Sequence, residues 1–350
     1  MQDLLQRLSD AHGISGYEGS VREIARQELA PYGDLRVDAP GNLIFTKNGT
    51  KGDASPKIML AAHLDEIGLA VKHIDDEGFL RFVKVGGWFD PTLLNQRVIV
   101  HSENPCVGVI GSKPPHVMKE ADRKKPVDSK DMFVDVGASS ADDAADMGIE
   151  VGTAISIDRN FTPLANDRIT GKALDNRAGV ALLVEAMKQI SKIDIASTVH
   201  AVFTVQEEVG LKGARTSAFG LNPDVAIALD VCVAGDHPGI TKTDSAMVVG
   251  KGAVITVMDA GGRGVITHPS VLKWLRETAD ENKIPYQLDV SDGGTTDATA
   301  ISLTREGIPS GVLSMATRYI HSPVEVLSLS DMTACADLIV HAVGTAEKWF

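Results

Sequence analysis

The segment 202-VFTVQEEVGLKGA-214 sets an apolar run against two adjacent glutamates, Glu207 and Glu208, and then a glycine. Residues Val199 to Val205 are rich in β-branched and aromatic side chains and predict a buried strand. Neighbouring residues on a strand point to opposite faces, so two carboxylates at its end are expected to leave in different directions and to do different jobs. A solvated strand end would look the same, since Glu is mostly exposed. Partners elsewhere in the chain decide between the two readings.

Working outward, residues 1–30 read as two helices joined by the turn 13-GISGYEG-19. Strands begin near Gly41 (NLIFTK) and at Lys57 (KIMLAAH). From about residue 70 to 164 short alternating segments (LAVKHI, FLRFVKV, RVIVHS, VGVIGS, MFVDV, TAISI) stand between turn residues, with one short helix around 140 to 147. After Asp175 helices and strands alternate again: NRAGVALLVEAMKQI, VHAVFTV, VAIALDV, PSVLKWLRETADEN, ATAISLTREG, SGVLSM and a last helix from about Ser330. The pattern predicts an α/β fold with a mostly parallel central sheet flanked by helices and an inserted small β-barrel-like domain. The catalytic domain would comprise 1–69 and 165–350, and the insert 70–164.

Metal-competent residues fall at the ends of the predicted strands. His63 and Asp65 follow KIMLAA, Asp175 precedes a helix, Glu207 and Glu208 follow VFTVQ, Asp230 ends VAIAL, and His321 follows SMATRYI. Ligands gather at the carboxyl ends of strands in open α/β sheets, so these places can converge in one cleft. Counted as ligands, His63, Asp175, Glu208, Asp230 and His321 give three to each of two divalent metals if Asp175 bridges. Nitrogen and oxygen donors without thiolate suit zinc, with cobalt or manganese as alternatives. Two such ions hold a bridging water and clamp a substrate, which predicts a hydrolytic site. Glu207 is then the general acid/base that takes a proton from that water and gives it to the leaving nitrogen. Asp65 is the catalytic helper that accepts the second N–H of His63 and fixes its tautomer. AGGRG at 260 to 264 lacks the context of a nucleotide loop and reads as a turn. In DGGTTDATA at 292 to 300, Thr296 or Asp297 can cap a helix.

Composition excludes other classes. The net charge of -13 and the lack of a basic stripe argue against nucleic acid as partner. No apolar run is long enough to span a membrane. Cys106, Cys232 and Cys335 form no spaced pairs, so neither a disulfide framework nor a cysteine zinc site is indicated, and a cytoplasmic location is expected.

The segments AAHLDEIG, LLNQRV, GSKPPH, ALDNRAG, TVQEEVGLKGARTSAFG, ALDV, KIPYQL, GGTTDATA and RYIHSP resemble, in this order, the M42 family of metallo-aminopeptidases, which contains the tetrahedral TET peptidases. His63 and Asp175 lie 112 residues apart, which places the insert where that family has it, whereas the M20 group carries its extra domain later. The resemblance implies the same ligands, a bridging Asp175, Glu207 as general acid/base and Asp65 as the carboxylate that partners the His63 ring. It further implies a dimerising insert, assembly of dimers into a hollow tetrahedral dodecamer, and short peptides as substrates. Thr295 and Thr299 replace two glycines of the family's usual loop. The expected activity is removal of neutral or aliphatic N-terminal residues. The competing readings are an N-acyl deblocking peptidase or deacylase on the same metals, and a non-catalytic assembly protein. The polar loop at 113–125 is expected to reach towards a neighbouring site or gate entry.

Overall fold

Helical spacing puts Leu4, Leu5 and Leu8 on the inner face of α1 (Gln2–Asp10), and Val21, Ala25 and Leu29 on that of α2 (Gly19–Leu29). A computed structural model of the protein describes residues 1–350, the side chain of Asp122 excepted. Strands β1 (Asp34–Val37), β2 (Leu43–Lys47) and β3 (Lys57–His63) follow the two helices. The chain then leaves the main sheet for six strands that close into a barrel. These are β4 (Gly68–Ile74), β5 (Leu80–Val85), β6 (Arg97–Val100), β7 (Cys106–Gly111), β8 (Phe133–Asp135) and β9 (Ala154–Ile157), in the order β4-β5-β8-β7-β6-β9. Within this stretch lie α3 (Glu120–Arg123), in the loop at 113–125, and α4 (Ala141–Asp146).

Alternation fills the barrel. Along β7, Gly108 and Ile110 point inward while Val107 and Val109 face out. Leu69, Leu80, Val98, Val100, Val134 and Ile155 complete a core separate from that of the large sheet.

The returning chain forms β10 (Thr162–Pro163), β11 (Arg168–Gly171), α5 (Leu174–Ile190), β12 (Thr198–Thr204), α6 (Lys212–Leu221), β13 (Val225–Val233), β14 (Ala253–Met258) and α7 (Pro269–Asn282). It ends with β15 (Tyr286–Val290), α8 (Asp297–Ser302), β16 (Ser310–Thr317), β17 (Glu325–Ser328) and α9 (Leu329–Val343). The eight-stranded sheet runs β1-β2-β12-β3-β13-β16-β14-β15, and a three-stranded sheet runs β10-β11-β17. Strands β12, β3, β13 and β16 are parallel neighbours, and antiparallel pairs flank them at β2–β12 and β16–β14. These four strands are apolar on both faces, because α5 and α9 cover one side and α6 and α8 the other.

Sequence and structure differ in particulars. The helix expected over ATAISLTREG stops at Ser302, where Leu303 turns out to solvent, and Thr296 caps its start by accepting from the Ala298 N–H. AGGRG is a turn, as expected. The short strands β1 and β15 sit at the two sheet edges, where pairing is by backbone and the apolar pattern is weak.

A buried ion cluster lies where the barrel meets the sheet. Lys172 Nζ lies 2.8 Å and Arg177 Nη2 3.2 Å from the Glu66 carboxylate, and all three side chains are excluded from solvent. Removing one partner from such a group typically costs about 3–5 kcal/mol, because the remaining charge stays buried.

Candidate metal centre

Five sequence-predicted ligands converge at the carboxyl end of the parallel strands. His63 is the last residue of β3, and in the parallel register it lies beside Thr204, the last of β12. Asp230 lies within β13, which runs on to Val233, and pairs with Ser314 of β16. Asp175 sits where the chain leaves β11 and enters α5. Its own backbone and that of Asn176 are not helical, so its carboxylate projects from the helix entrance into the cleft.

Glu207 and Glu208 are not on the strand. β12 ends at Thr204, and Gln206, with φ 56, turns the chain before the glutamates. The divergence of the two carboxylates expected from strand pleat therefore comes from a loop. His321, likewise, lies four residues beyond β16 with φ 59.

The donor atoms form two groups with one shared member. The ring Nε2 of His63 is 3.1 Å from Asp175 Oδ1 and 3.9 Å from Asp230 Oδ1. Asp175 Oδ2 faces the other way, 3.3 Å from His321 Nε2, which is also 3.3 Å from Glu208 Oε2. Glu207 Oε2 stands 3.9 Å from His63 Nε2 but belongs to neither group. Donor atoms within each group, His63/Asp175/Asp230 and Asp175/Glu208/His321, lie within 4.8 Å of one another. Three donors of mixed imidazole and carboxylate type in each group, sharing one carboxylate, fit two divalent cations.

Each histidine turns Nε2 into the cleft because its other nitrogen is held. His63 Nδ1 lies 3.1 Å from the main-chain carbonyl of Asp65 and 3.5 Å from its carboxylate. His321 Nδ1 lies 2.8 Å from the carbonyl of Gly87, on the loop after β5. Both contacts place the ring proton on Nδ1 and leave Nε2 as the donor to a cation. The expected bond from His63 to Asp65 thus goes first to the backbone. The Asp65 carboxylate accepts instead from the N–H groups of Glu207, at 3.0 Å, and Glu208, at 3.2 Å.

The cleft draws in positive charge. Burial opposes protonation of His63, but Glu207, Asp175, Asp65 and Asp230 outweigh it and raise its pKa well above the ordinary value. Burial likewise opposes protonation of His321, yet Asp175 and Glu208 push its pKa up to about 11. Glu207 and Asp230 are raised well above the carboxylate range, first by burial and then by neighbouring carboxylates. Among the five predicted ligands Asp175 alone is lowered: burial would raise it, but hydrogen bonds from His321 and His63 prevail.

Glu325 was not legible from sequence. It opens β17, paired with Gly171 of β11, and is 2% exposed. Its Oε2 accepts from the Asp175 N–H and its Oε1 from the His321 N–H, each at 2.9 Å. One carboxylate therefore ties together the backbones of two predicted ligands. Thr295 and Thr299, the departures from the family loop, hydrogen-bond each other at 2.7 Å.

The family model for M42 glutamyl aminopeptidase matches residues 41–338. A lysyl aminopeptidase of Pyrococcus furiosus is 36% identical, over 94% of this chain and 93% of that one. Among solved structures, an aminopeptidase from the archaeon Desulfurococcus kamchatkensis is 43% identical, with a TM-score of 0.94 over 99% of this chain and 95% of that one. The TET1 peptidase of Pyrococcus horikoshii, which can assemble into a tetrahedron or a large octahedral shell, is 34% identical, with a TM-score of 0.88 over 98% of each chain.

Proposed function

The chain belongs to the M42 family of aminopeptidases and is a hydrolase of peptide bonds, and from that premise we propose a dinuclear metal-dependent enzyme that removes N-terminal residues from short peptides. The observation that carries the proposal is the division of the Asp175 carboxylate, one oxygen towards His63 and the other towards His321. His63, Asp175 and Asp230 would hold one cation, and Asp175, Glu208 and His321 the other. Zinc, cobalt and manganese suit these donors. When bound, the cations supply Lewis-acid activation of water and of the scissile carbonyl.

Glu207 does the proton work. It lies outside both donor groups, and burial followed by the carboxylates of Asp230, Asp297 and Glu208 keeps its proton affinity high. As a carboxylate of raised basicity it accepts the proton of the attacking water, and as the resulting carboxylic acid it passes that proton to the leaving nitrogen. Asp65 holds the loop that aims it.

The cleft's surplus of carboxylates favours a free, positively charged α-amine on the peptide. Side-chain preference does not follow from family membership, since the family model is described as glutamyl and the Pyrococcus furiosus relative as lysyl. Arg318, three residues before His321, is paired bidentately with Asp236, so each neutralises the other as a recognition charge. We therefore favour neutral or aliphatic N-terminal residues.

We further propose that the protein forms a tetrahedral dodecamer from barrel-paired dimers. Val83, Val107 and Val109 stand exposed on the outer face of the barrel, the kind of apolar surface a subunit contact covers. The loop at 113–125 is largely exposed and suited to reach a neighbour or gate entry. The three cysteines are free thiols, which fits a reducing cytoplasm. No helix among the described residues is long and apolar enough to cross a membrane.

The test is a panel of short peptides with free or acetylated N-termini, assayed with zinc, cobalt or manganese. Release of the first residue from free peptides and poor turnover of acetylated ones is expected. Equal turnover of both would favour a deblocking peptidase instead.

A further inference from the structure

The turn 13-GISGYEG-19 joins α1 to α2, outside the span matched by the family model, and supplies no atom to either donor group. Its backbone is nevertheless fixed beside the site. The Gly13 N–H donates to Glu66 Oε1 at 2.9 Å, the Glu66 N–H to the Gly13 carbonyl at 3.0 Å, and Ile14 forms a β-bridge with Glu66. The buried Arg177 guanidinium closes the turn from the other side, donating to the carbonyls of Leu8, Ala11 and Gly13.

Two side chains of this pinned turn reach the loop that carries Glu207. Ser15 Oγ donates to Asp65 Oδ2 at 2.6 Å, and that carboxylate accepts from the N–H groups of Glu207 and Glu208. Glu18 Oε1 accepts from the Gly16 N–H at 2.7 Å and from the Gln206 N–H at 3.1 Å. Three consecutive amides, those of Gln206, Glu207 and Glu208, therefore end on two buried carboxylates. Gln206 is in the left-handed region, uncommon for a residue with a side chain, and such a residue persists where its surroundings hold it.

We propose that Ser15 and Glu18 are positioning residues for Glu207: from the N-terminal turn they set the 206–208 loop and so the aim of its carboxyl. The inference rests on the reading of Glu207 as proton carrier. Ser15 orients Asp65, whose carboxylate would otherwise be free to rotate away from the two amides. Glu18 anchors the left-handed residue just before Glu207. Neither side chain touches a donor atom of the two groups, but Asp65 also holds the Glu208 amide and faces His63, so metal content is measured beside turnover to separate a loosened general base from a weakened cation site.

The experiment uses the full chain and four variants, Ser15→Ala, Glu18→Ala, Ser15→Thr and Glu18→Gln. The last two keep the hydroxyl and the carbonyl acceptor. Hydrogen exchange of the 205–211 segment, followed without added metal, should quicken by roughly tenfold or more in the alanine variants and stay within about twofold in the conservative ones. With metal restored and its content measured, kcat should fall by about tenfold in the alanine variants at unchanged KM. Adding Glu18→Ala to Glu207→Gln should cost nothing further, since a positioning residue has nothing left to position. Unchanged exchange in both alanine variants, equal losses in Glu18→Gln and Glu18→Ala, or additive losses on Glu207→Gln would each overturn the proposal. If Glu207→Gln keeps full turnover, the role of Glu207 falls, and the exchange rates still decide whether Ser15 and Glu18 hold the loop.

Discussion

The two donor groups that share Asp175 are built in different ways. His63 and Asp230 sit on adjacent parallel strands, are almost fully buried, and take their places from the sheet register. Glu208 and His321 sit on loops beyond β12 and β16, and the His321 side chain is 36% exposed. Their places depend on carboxylates and carbonyls brought from elsewhere: Asp65 for Glu208, and Glu325 and Gly87 for His321. A strand-held group is fixed by the core of the protein, whereas a loop-held one is fixed by a few hydrogen bonds. The first should bind its cation more tightly and exchange it more slowly.

The largest effect should come from the residue common to both halves. Asp175→Asn replaces an anionic bridge by a poor neutral ligand, so metal affinity should fall at both groups and activity by about 10³-fold or more. Metal analysis and turnover measure this. Loss of one ion with the other held at wild-type affinity would break the symmetry assigned to Asp175.

Gly87→Ala separates the halves. A Cβ there would lie 2.9 Å from His321 Nδ1, displacing the ring whose N–H the Gly87 carbonyl accepts. Outer partners of this kind typically carry about 10- to 100-fold in metal affinity. Titration calorimetry should show one weakened site and one unchanged. Equal weakening of both would mean that the loop-held half is not an independent unit.

Acid should act on the seam that docks the barrel, and therefore on the loop-held half first. Ser156 Oγ lies 2.7 Å from both His12 Nδ1 and His101 Nε2, joining barrel strand β9 to the N-terminal turn. Burial first, and then Lys172, lowers the His12 pKa from 6.5 to about 4. The folded state thus binds this proton less readily than the unfolded chain. The stabilising contribution is complete above pH 6.5 and is lost as pH falls towards 4. Thermal unfolding should show a shallower decline over that window in His12→Asn than in the wild type. An identical decline in both would remove His12 from the account.

The same contrast explains what could be read in the sequence. His63 and the Glu207–Glu208 pair are legible because apolar runs announce where strands end, and Asp230 because a lone carboxylate interrupts the apolar run of β13; parallel strands bring these places together. His321 is read from its place after SMATRYI, and the family's RYIHSP motif adds to that reading, although it lies four residues beyond β16. Glu325, Gly87, Ser15 and Glu18 left no pattern. Each has a partner that only the fold brings close: Gly87 lies 234 residues from His321, Glu18 188 from Gln206, Glu325 150 from Asp175 and Ser15 50 from Asp65. The edge strands β1 and β15 were missed for a related reason, because pairing through the backbone writes little into side-chain alternation.

The central claim is that metal binding and proton transfer are divided between neighbours, Glu208 binding and Glu207 carrying the proton. Glu207→Gln keeps the shape of the side chain, removes its basicity and leaves all five predicted ligands in place. Turnover of a free-amine peptide by this variant, measured alongside its metal content, tests the division directly. The account predicts two ions retained per subunit and activity lowered by about 10²-fold or more. Full metal occupancy with wild-type turnover would contradict it.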